Sequence, residues 1–272
     1  MNFQPLVGFG QKKEEAPVQP VQATPLAPQA LPDRSRPTVD DLKASLAGLK
    51  ENEGKVQWDE YIGQNYHKIV REDIEGRHVL DVGANIGFTS LFFLHMGAKS
   101  VIAVEANPEN FAVLKNNIAP WPQIKGLNAA AADGVVKKVK IIEDKGISKT
   151  LPDAEGGVTA IGFGELVAMF PPDANDMFMK CDIEGGEYDF LLSARKADII
   201  RFKTAILETH QVPHLEKLAA RKSKFLLSYF ELMGFEKVSE CPICCWFHNP
   251  DGTVKDCVTL EDQGDAKMVR KD

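Results

Sequence analysis

The stretch HVLDVGANIGFTS, residues 78–90, constrains the fold more than any other part of this chain. Residues 78–82 are short, apolar and rich in β-branched side chains, which predicts a strand buried on both faces. Gly83 and Gly87 bracket a tight loop, and apolar spacing over residues 88–96 predicts a helix after it. A helix that begins at such a loop presents free N–H groups and a partial positive charge.

Three kinds of ligand-binding loop compete for this stretch. A phosphate-binding P-loop requires a lysine after its second glycine, but Phe88 follows Gly87. A dinucleotide loop requires Gly-x-Gly-x-x-Gly, and residues 84–86 break that spacing. An S-adenosylmethionine (SAM) loop fits better, because Asp81 would repel a pyrophosphate but can hold a cation. A strand, turn and helix with glycines for geometry alone remains the alternative.

A second acid ends the next predicted strand. Residues 99–106, KSVIAVEA, are apolar up to Glu105, which lies 105 − 81 = 24 residues after Asp81. This offset is near the value of about 20 residues at which an acid binds a cofactor ribose. Asn107 is a predicted helix cap, with proline in the first helical turn. We therefore predict that Glu105 is a ribose ligand and not a solvated surface residue.

Strands and helices alternate from residue 78 onward. This alternation predicts an α/β fold with a mostly parallel central sheet, helices on both faces and a terminal antiparallel hairpin. Ligands bind such sheets at the carboxyl ends of the strands. The residues expected at those ends are Asp81, Gly83, Glu105, Asn128, Asp182 and Glu208. Asn128 and Asp133 are predicted adenine-side contacts, with simple turn formation as the alternative for each.

Taken together, the motifs resemble the SAM-dependent methyltransferases of the FkbM family. The similarity runs from DVGANIGFTSLFFLHMGA and AVEANPENFAVLKNNI through NAAAADG (128–134) and MKCDIEGGEYDFLLSA (179–194) to LETH (207–210). It implies a Rossmann-like class I methyltransferase fold, SAM as cofactor, and methyl transfer to a hydroxyl on a sugar or small metabolite. Cys181 and Gly186 depart from the family pattern, where an aliphatic residue and an alanine are commoner. The predicted cofactor-binding residues are Asp81, Gly83, Asn85, Gly87, Glu105, Asn128, Asp133 and Asp182.

The motif DIEGGE, residues 182–187, places three carboxylates after a buried strand. Such acids are costly to bury unless they face water, a cation or a donor. The resemblance implies that Asp182 lies near the sulfonium and the acceptor, and that Glu184 and Glu187 position the acceptor. Compensation of the helix dipole is the alternative for Glu187.

His210 follows the fifth predicted strand of the main sheet. An unperturbed histidine titrates at about pH 6.5, which suits a general base for an alcohol acceptor. A loop histidine bonded to backbone is the alternative. The predicted catalytic residues are therefore His210, Asp182 and Glu184. A divalent ion held by Asp182, Glu208 and His210 is chemically feasible, but no metal is predicted.

Composition limits the partners of the chain. The net charge of −7 argues against a broad nucleic-acid surface, and the absence of a run of about 18 apolar residues predicts no membrane span. Five cysteines without an export signal are interpreted as reduced thiols in a cytoplasmic protein. A zinc site built on Cys241, Cys244, Cys245 and Cys257 is less favoured than buried apolar thiols.

Four segments are predicted along the chain. They are a disordered Pro/Gln-rich tail (1–37), a helical lead-in (38–72), a SAM-dependent methyltransferase domain (73–260) and a charged flexible C-terminus (261–272). The tail is either a passive leader or a partner-binding segment. The alternative functions are an NAD(P)-dependent oxidoreductase on the same fold and a non-catalytic partner-binding protein. Asn85 in place of a middle glycine and the DIEGGE motif count against the oxidoreductase.

Overall fold

Two β-sheets organise the residues that the computed structural model describes, which are 35–47, 49, 51–63, 65, 68–144, 147–210, 216–242 and 264–271. In chain order their strands are β1 (His78–Val82), β2 (Ser100–Glu105), β3 (Ile124–Asn128), β4 (Ala130–Ala132), β5 (Lys138–Asp144), β6 (Ile147–Pro152), β7 (Val158–Gly162), β8 (Met177–Cys181), β9 (Phe202–Thr209), β10 (Phe235–Pro242) and β11 (Gly264–Arg270). The larger sheet has the order β10-β11-β9-β8-β1-β2-β3, and the smaller one has the order β4-β7-β5-β6.

The larger sheet is mostly parallel, as predicted. Each neighbouring pair from β3 across to β9 is parallel. Strand β11 is antiparallel to both β9 and β10, so the sheet ends in an antiparallel strand pair. Its strands are 235–242 and 264–270, whereas the hairpin was predicted from 235–239 and 244–249. The helices that cover the sheet are α1 (Val39–Ser45), α2 (Glu51–Trp58), α3 (Arg71–Ile74), α4 (Phe88–His95), α5 (Pro108–Ile118), α6 (Phe163–Val167), α7 (Glu187–Leu192), α8 (Lys196–Ile199) and α9 (Glu216–Leu232), with a π-helical turn, Asp59–Gly63, after α2. The chain therefore has a Rossmann-like α/β fold.

Strand β1 shows how the two faces of the sheet are filled. Leu80 and Val82 belong to one apolar core together with residues of α6, α7 and α9. Val79 belongs to a second core with residues of α1, α4 and α5. Successive side chains of a strand point to opposite faces, so Asp81 shares the face of Val79 and points toward α4. This direction determines what the Asp81 carboxylate can contact.

The last described strand corrects the predicted flexible C-terminus at 261–272. Strand β11 lies between β9 and β10 and pairs with both, so this prediction is wrong for the residues of that strand. Ala266 and Met268 are buried in the core on one face, and Lys267 on the other face forms an ion pair of 2.7 Å with Asp73. The charged residues concealed a strand whose alternate positions are apolar. The strand predicted at residues 244–249 lies outside the described residues.

The segments ahead of β1 are only partly described. The predicted tail lies outside the described residues apart from residues 35–37. The predicted helical lead-in contains α1, α2, the π-helical turn and α3, and Tyr61 of that turn is buried against α4. Among the described helices, none combines the length and the apolar character that a membrane crossing requires. The cytoplasmic location and a role for the tail stay predictions.

Candidate active site

A cavity lies at the carboxyl ends of β1, β2 and β8, where an open α/β sheet binds its ligands. Five of the predicted site residues line it, namely Gly83, Asn85, Glu105, Asp182 and Glu184. The predicted residues Asp81, Gly87, Asn128, Asp133 and His210 are not part of its wall. The remaining wall includes Glu60 and Tyr61 from the π-helical turn, so the lead-in closes one side of the cavity.

The carboxylate of Asp81 bonds to hydroxyl groups of the protein itself. It is 0% exposed, and its Oδ2 accepts hydrogen bonds of 2.6 Å from the hydroxyls of Thr89 and Ser90 in the first turn of α4. Burial raises the pKa of Asp81, and the nearby Lys180 ammonium opposes that shift. Asp81 is not part of the cavity wall, because the strand register points this side chain under α4, and the cofactor contact predicted for it stays a prediction. Its role is to hold the loop and the start of α4 together.

Gly83 fixes the distance between the two sequence motifs. Its φ is +81°, and a Cβ built there would lie 1.7 Å from the carbonyl oxygen of Asp182. The backbone after β1 therefore touches the backbone after β8, and no side chain fits between them. Gly83 also lines the cavity, and the cofactor contact predicted for it stays a prediction.

Gly87 and Asn85 also adopt positive φ, at +90° and +49°. A Cβ on Gly87 would lie 3.2 Å from Cγ of Leu114, so this glycine lets α4 pack against α5. Asn85 lines the cavity, and its backbone N–H donates a 2.9 Å hydrogen bond to Oε2 of Glu105. In this loop Asn85 faces the cavity, whereas Gly87 lies outside the cavity wall and packs against α5.

Glu105 is placed as predicted for a ribose ligand. It ends β2, lines the cavity and is mostly buried, at 8% exposed. Its Oε1 and Oε2 accept hydrogen bonds from the backbone N–H groups of Asn107 and Asn85 at 2.7 and 2.9 Å. Burial raises the pKa of Glu105, and these two N–H groups oppose the shift. A carboxylate has about four acceptor positions, so it can still accept hydroxyl donors from a ligand.

Asn128 and Asp133 bond to backbone groups and lie outside the cavity wall. The Nδ2 of Asn128 donates to the carbonyls of Glu105 and Ala106 at 2.9 and 3.0 Å, which joins the end of β3 to the end of β2. Oδ1 of Asp133 accepts from the backbone N–H groups of Val135 and Val136 at 2.8 and 3.0 Å. The geometry therefore favours turn formation for Asp133, whereas Asn128 connects two strands.

Lys180 is a site residue that the sequence reasoning missed. It is 3% exposed, and its Nζ donates to the carbonyl of Gly83 at 2.8 Å and pairs with Oδ2 of Asp182 at 3.0 Å. Burial lowers its pKa, but the carboxylates of Asp182 and Asp81 outweigh burial and raise the pKa of Lys180 overall. A lysine inside the apolar strand MFMKC was the available signal, because an unpaired buried charge is rarely tolerated.

At the carboxyl ends of β8 and β9, the imidazole of His210 lies among four carboxylates. Nε2 of His210 lies 3.8 Å from Asp182 Oδ1, 3.5 Å from Glu184 Oε2 and 3.4 Å from Glu208 Oε1. Its Nδ1 lies 3.4 Å from Oε1 of Glu187. We call these five residues the His210 cluster. Asp182, Glu208 and His210 lie together at this edge, as their positions at strand ends predicted.

The surroundings of His210 change its predicted role. Burial lowers the pKa of His210, but attraction by Glu187 and Glu208 outweighs it and raises the pKa well above 6.5. A proton that these carboxylates hold more firmly leaves His210 less available as the general base that the sequence predicts. Burial also raises the pKa of Glu184, which does line the cavity, and His210 opposes that shift.

Several solved structures are similar to this chain. Among them are the fibrillarin pre-rRNA processing protein of Methanococcus jannaschii (12% identity, 78% of this chain and 76% of that one, TM-score 0.45) and M. capricolum TrmK bound to S-adenosyl-homocysteine (11% identity, 76% and 67%, TM-score 0.41). A third is the ribosomal protein L11 methylase of Lactobacillus delbrueckii subsp. bulgaricus (13% identity, 73% and 72%, TM-score 0.38). No protein-family model and no curated protein matches the sequence. Identities and TM-scores this low leave the activity to be argued from the site itself.

Proposed function

We propose that this chain is a SAM-dependent methyltransferase that acts on a hydroxyl oxygen of a sugar or small metabolite. The observation that carries the proposal is the charge of the cavity wall. Its described residues include one ammonium, Lys180, and four carboxylates, those of Glu60, Glu105, Asp182 and Glu184. SAM is cationic overall, with a sulfonium and an ammonium against one carboxylate, whereas NAD carries an anionic pyrophosphate. The wall attracts the first ligand and repels the second.

The residues present also fit the neutral parts of SAM. Glu105 offers acceptor positions to ribose hydroxyls at the end of β2. Val104, Ala129 and Ala130 form an apolar part of the same wall, which suits a purine ring. The FkbM-like character of the chain stays a proposal that rests on the DVGANIG and DIEGGE motifs.

Bound SAM supplies a methyl group on a positively charged sulfur, and its transfer is an in-line displacement. Most of the catalytic gain should therefore come from alignment, since effective molarities reach about 10⁵–10⁸ M for well-placed partners. Asp182 can contribute to this alignment, because the Lys180 ammonium lies 3.0 Å from its Oδ2 and fixes the carboxylate. The other oxygen of this carboxylate, Oδ1, faces Nε2 of His210.

An alcohol acceptor must also lose a proton, and we assign its acceptance to Glu184. This carboxylate lines the cavity, and a pKa raised by burial suits a general base. The proposal replaces His210 as the base, since His210 lies outside the wall and its carboxylate neighbours hold its proton. His210 becomes a positioning residue for Asp182 and Glu184.

The test is thermal unfolding of the full chain with S-adenosyl-homocysteine, SAM or NAD. A ligand at about 100 times its dissociation constant adds roughly 2.7 kcal/mol, which shifts the melting temperature by several degrees at about 2–4 °C per kcal/mol. We expect shifts with both adenosyl ligands and none with NAD. Glu105→Gln should weaken the shift strongly, whereas the control Asp133→Asn, outside the cavity wall, should leave it unchanged.

Each other outcome favours one alternative. A shift with NAD alone would favour the oxidoreductase. No shift with any of the three ligands, in a protein that unfolds cooperatively, would favour the non-catalytic partner-binding protein. Equal loss of the shift in both variants would show that Glu105 does not contact the ligand.

A further inference from the structure

The His210 cluster contains a set of atoms spaced like the ligands of one metal ion. One donor atom from each of Asp182, Glu208 and His210 lies within 4.8 Å of the other two. Nε2 of His210 is 3.4 Å from Glu208 Oε1 and 3.8 Å from Asp182 Oδ1. These distances exceed a normal hydrogen bond of about 2.7–3.2 Å. They approach the separation of about 2.8–3.6 Å between neighbouring ligand atoms with bonds of about 2.0–2.2 Å to a shared cation.

Groups behind His210 fix its backbone, and a buried carboxylate faces the Nδ1 side of its ring, which is a separate observation. Glu187 is 1% exposed and accepts a 2.6 Å hydrogen bond from the backbone N–H of His210 and a 2.8 Å bond from that of Gly185. Its Oε1 lies 3.4 Å from Nδ1 of His210, an atom that is wholly buried and makes no well-aligned hydrogen bond. The hydroxyl of Tyr188 donates to the carbonyl of His210 at 3.0 Å. Metal-binding histidines commonly direct their second ring nitrogen at a carboxylate in this way.

The two oxygens of the Asp182 carboxylate have different neighbours. Lys180 engages Oδ2 at 3.0 Å, and Oδ1 lies on the side of His210. The buried carboxylate of Glu208 completes the set from the end of β9. Two segments of chain, the ends of β8 and β9, thus bring three donor atoms to the same place, and Lys180 fixes one of the ligand side chains from behind.

Charge favours an added cation over the ion pairs alone. The cluster has four carboxylates, and Lys180 and His210 are positive groups that contact it. A histidine binds a metal ion only as the neutral imidazole, so an ion at Nε2 takes the place of a proton there. A divalent ion supplies two positive charges to these carboxylates where the proton supplies one, and a mixed set of carboxylate oxygens and one imidazole suits Mn²⁺ or Mg²⁺.

We propose that Asp182, Glu208 and His210 form a divalent-cation site at the edge of the cavity, which binds the acceptor hydroxyl. The use of the site rests on the proposed function, whereas its existence does not. An ion there acts as a Lewis acid on the hydroxyl oxygen and lowers its pKa. The new O–C bond forms as the C–S bond breaks with its electron pair moving to sulfur, and the hydroxyl proton moves to Glu184. The site therefore gives His210 a role as a ligand beside the acceptor hydroxyl and leaves proton acceptance to Glu184.

The experiment is a Mn²⁺ titration of the full-length chain, after treatment with a chelator, followed by the electron paramagnetic resonance signal of free Mn²⁺. We expect one Mn²⁺ per chain in the wild type. Glu208→Gln and His210→Gln should each weaken binding at least tenfold, because each removes one of three ligands. Asp189→Asn is the matched control, since it neutralises an exposed carboxylate on α7 and should not change the affinity. Circular dichroism verifies that each variant is folded.

A second measurement does not need the variants. Substoichiometric Mn²⁺ should broaden the ring signals of one of the six histidines in the NMR spectrum of the wild-type protein. Broadening of a histidine that is still present in His210→Gln would overturn the proposal. So would unchanged affinity in Glu208→Gln and His210→Gln, or no bound Mn²⁺ at millimolar concentration.

The two proposals fail separately. Thermal shifts with S-adenosyl-homocysteine are measured on the same samples in the presence of a chelator. A protein that binds S-adenosyl-homocysteine but no Mn²⁺ leaves the methyltransferase proposal intact and removes the metal site. A protein that binds Mn²⁺ at the three residues but no adenosyl ligand does the reverse.

Discussion

The two halves of the cavity edge treat their acids differently. At the β1–β2 edge, Asp81 and Glu105 each accept two hydrogen bonds of 2.6–2.9 Å from hydroxyl or backbone donors of the adjoining loops. At the β8–β9 edge, Asp182, Glu184 and Glu208 instead lie 3.4–3.8 Å from a single imidazole nitrogen. The two acids of the first edge accept short local hydrogen bonds, whereas these three acids of the second edge surround the imidazole at longer distances.

The two edges therefore contribute differently to the cavity. The β1–β2 edge fixes its shape, and the β8–β9 edge carries the groups suited to chemistry. Local hydrogen bonds fix the loop after β1 whether or not a ligand is bound, which suits the recognition of a constant cofactor. A surplus of carboxylates around one imidazole is stable only with a counter-charge, which suits a site that takes up a cation or a proton during turnover. Gly83 and Lys180 connect the two edges, so variants at these positions test the comparison most directly.

Gly83→Ala should have the largest effect. A Cβ 1.7 Å from the Asp182 carbonyl oxygen forces the two edges apart, on top of the penalty for positive φ. We expect a loss of more than about 4 kcal/mol in the free energy of unfolding, or no folded protein, in urea denaturation.

The matched control for that variant is Gly76→Ala. Gly76 has a similar φ of +75°, but a Cβ there meets nothing within 4 Å. Only the backbone penalty applies, so the expected loss is about 1–2 kcal/mol. Equal losses in the two variants would mean that contact between the two edges contributes nothing to stability.

Lys180→Met should have the second largest effect. Removing the buried ammonium leaves the Asp182 and Asp81 carboxylates without their nearest counter-charge, which typically costs about 3–5 kcal/mol. Binding of S-adenosyl-homocysteine should weaken as well, measured by calorimetry. Lys267→Met is the comparator, because it breaks a buried pair with Asp73 away from the cavity and should leave ligand binding unchanged. A ligand affinity equal to wild type in Lys180→Met would show that the edges are independent.

Asp81→Asn should have the smallest effect, on the order of 1 kcal/mol. Burial raises the pKa of Asp81, so the folded protein holds this proton more tightly than the unfolded chain does. The contribution of Asp81 to stability is therefore complete below its unfolded pKa, about 3.9, and is lost as the pH rises through its folded pKa. The wild type should gain stability relative to Asp81→Asn as the pH falls from 7 to 4 in urea titrations. A difference that does not vary with pH would contradict the assignment of a buried, titrating acid.

Local sequence signals predicted local structure well. The capping of α5 by Asn107 is confirmed, since its Oδ1 accepts from the backbone N–H groups of Glu109 and Asn110. At α1, Thr38 and Asp41 form a capping box of the kind that a sequence displays locally. The bounds of β1 and β2 match the predicted strands, because short apolar runs between glycine or proline turns have few other arrangements.

Features that depend on contacts between distant segments were not predictable in the same way. Assigning Asp81 to the cofactor required knowing which face of β1 carries the cavity, and that depends on packing against α4. The protonation of His210 depends on Glu187 and Glu208, which reach it from two different elements. Lys180 was visible as a charge in an apolar strand, but its partner at Gly83 lies 97 positions away. Such roles follow from three-dimensional neighbours that a single sequence does not reveal.

The position of β11 in the sheet has a consequence for the order of folding. As the chain leaves the ribosome, β9 emerges ahead of α9, β10 and the residues between β10 and β11. One edge of β9 stays unpaired throughout that interval, and Glu208, which lies opposite Asp265 in the finished sheet, belongs to that edge. The loop after β1 can close as soon as β8 has been made. The cavity is therefore completed in two stages during synthesis, and the side that carries the histidine is finished last.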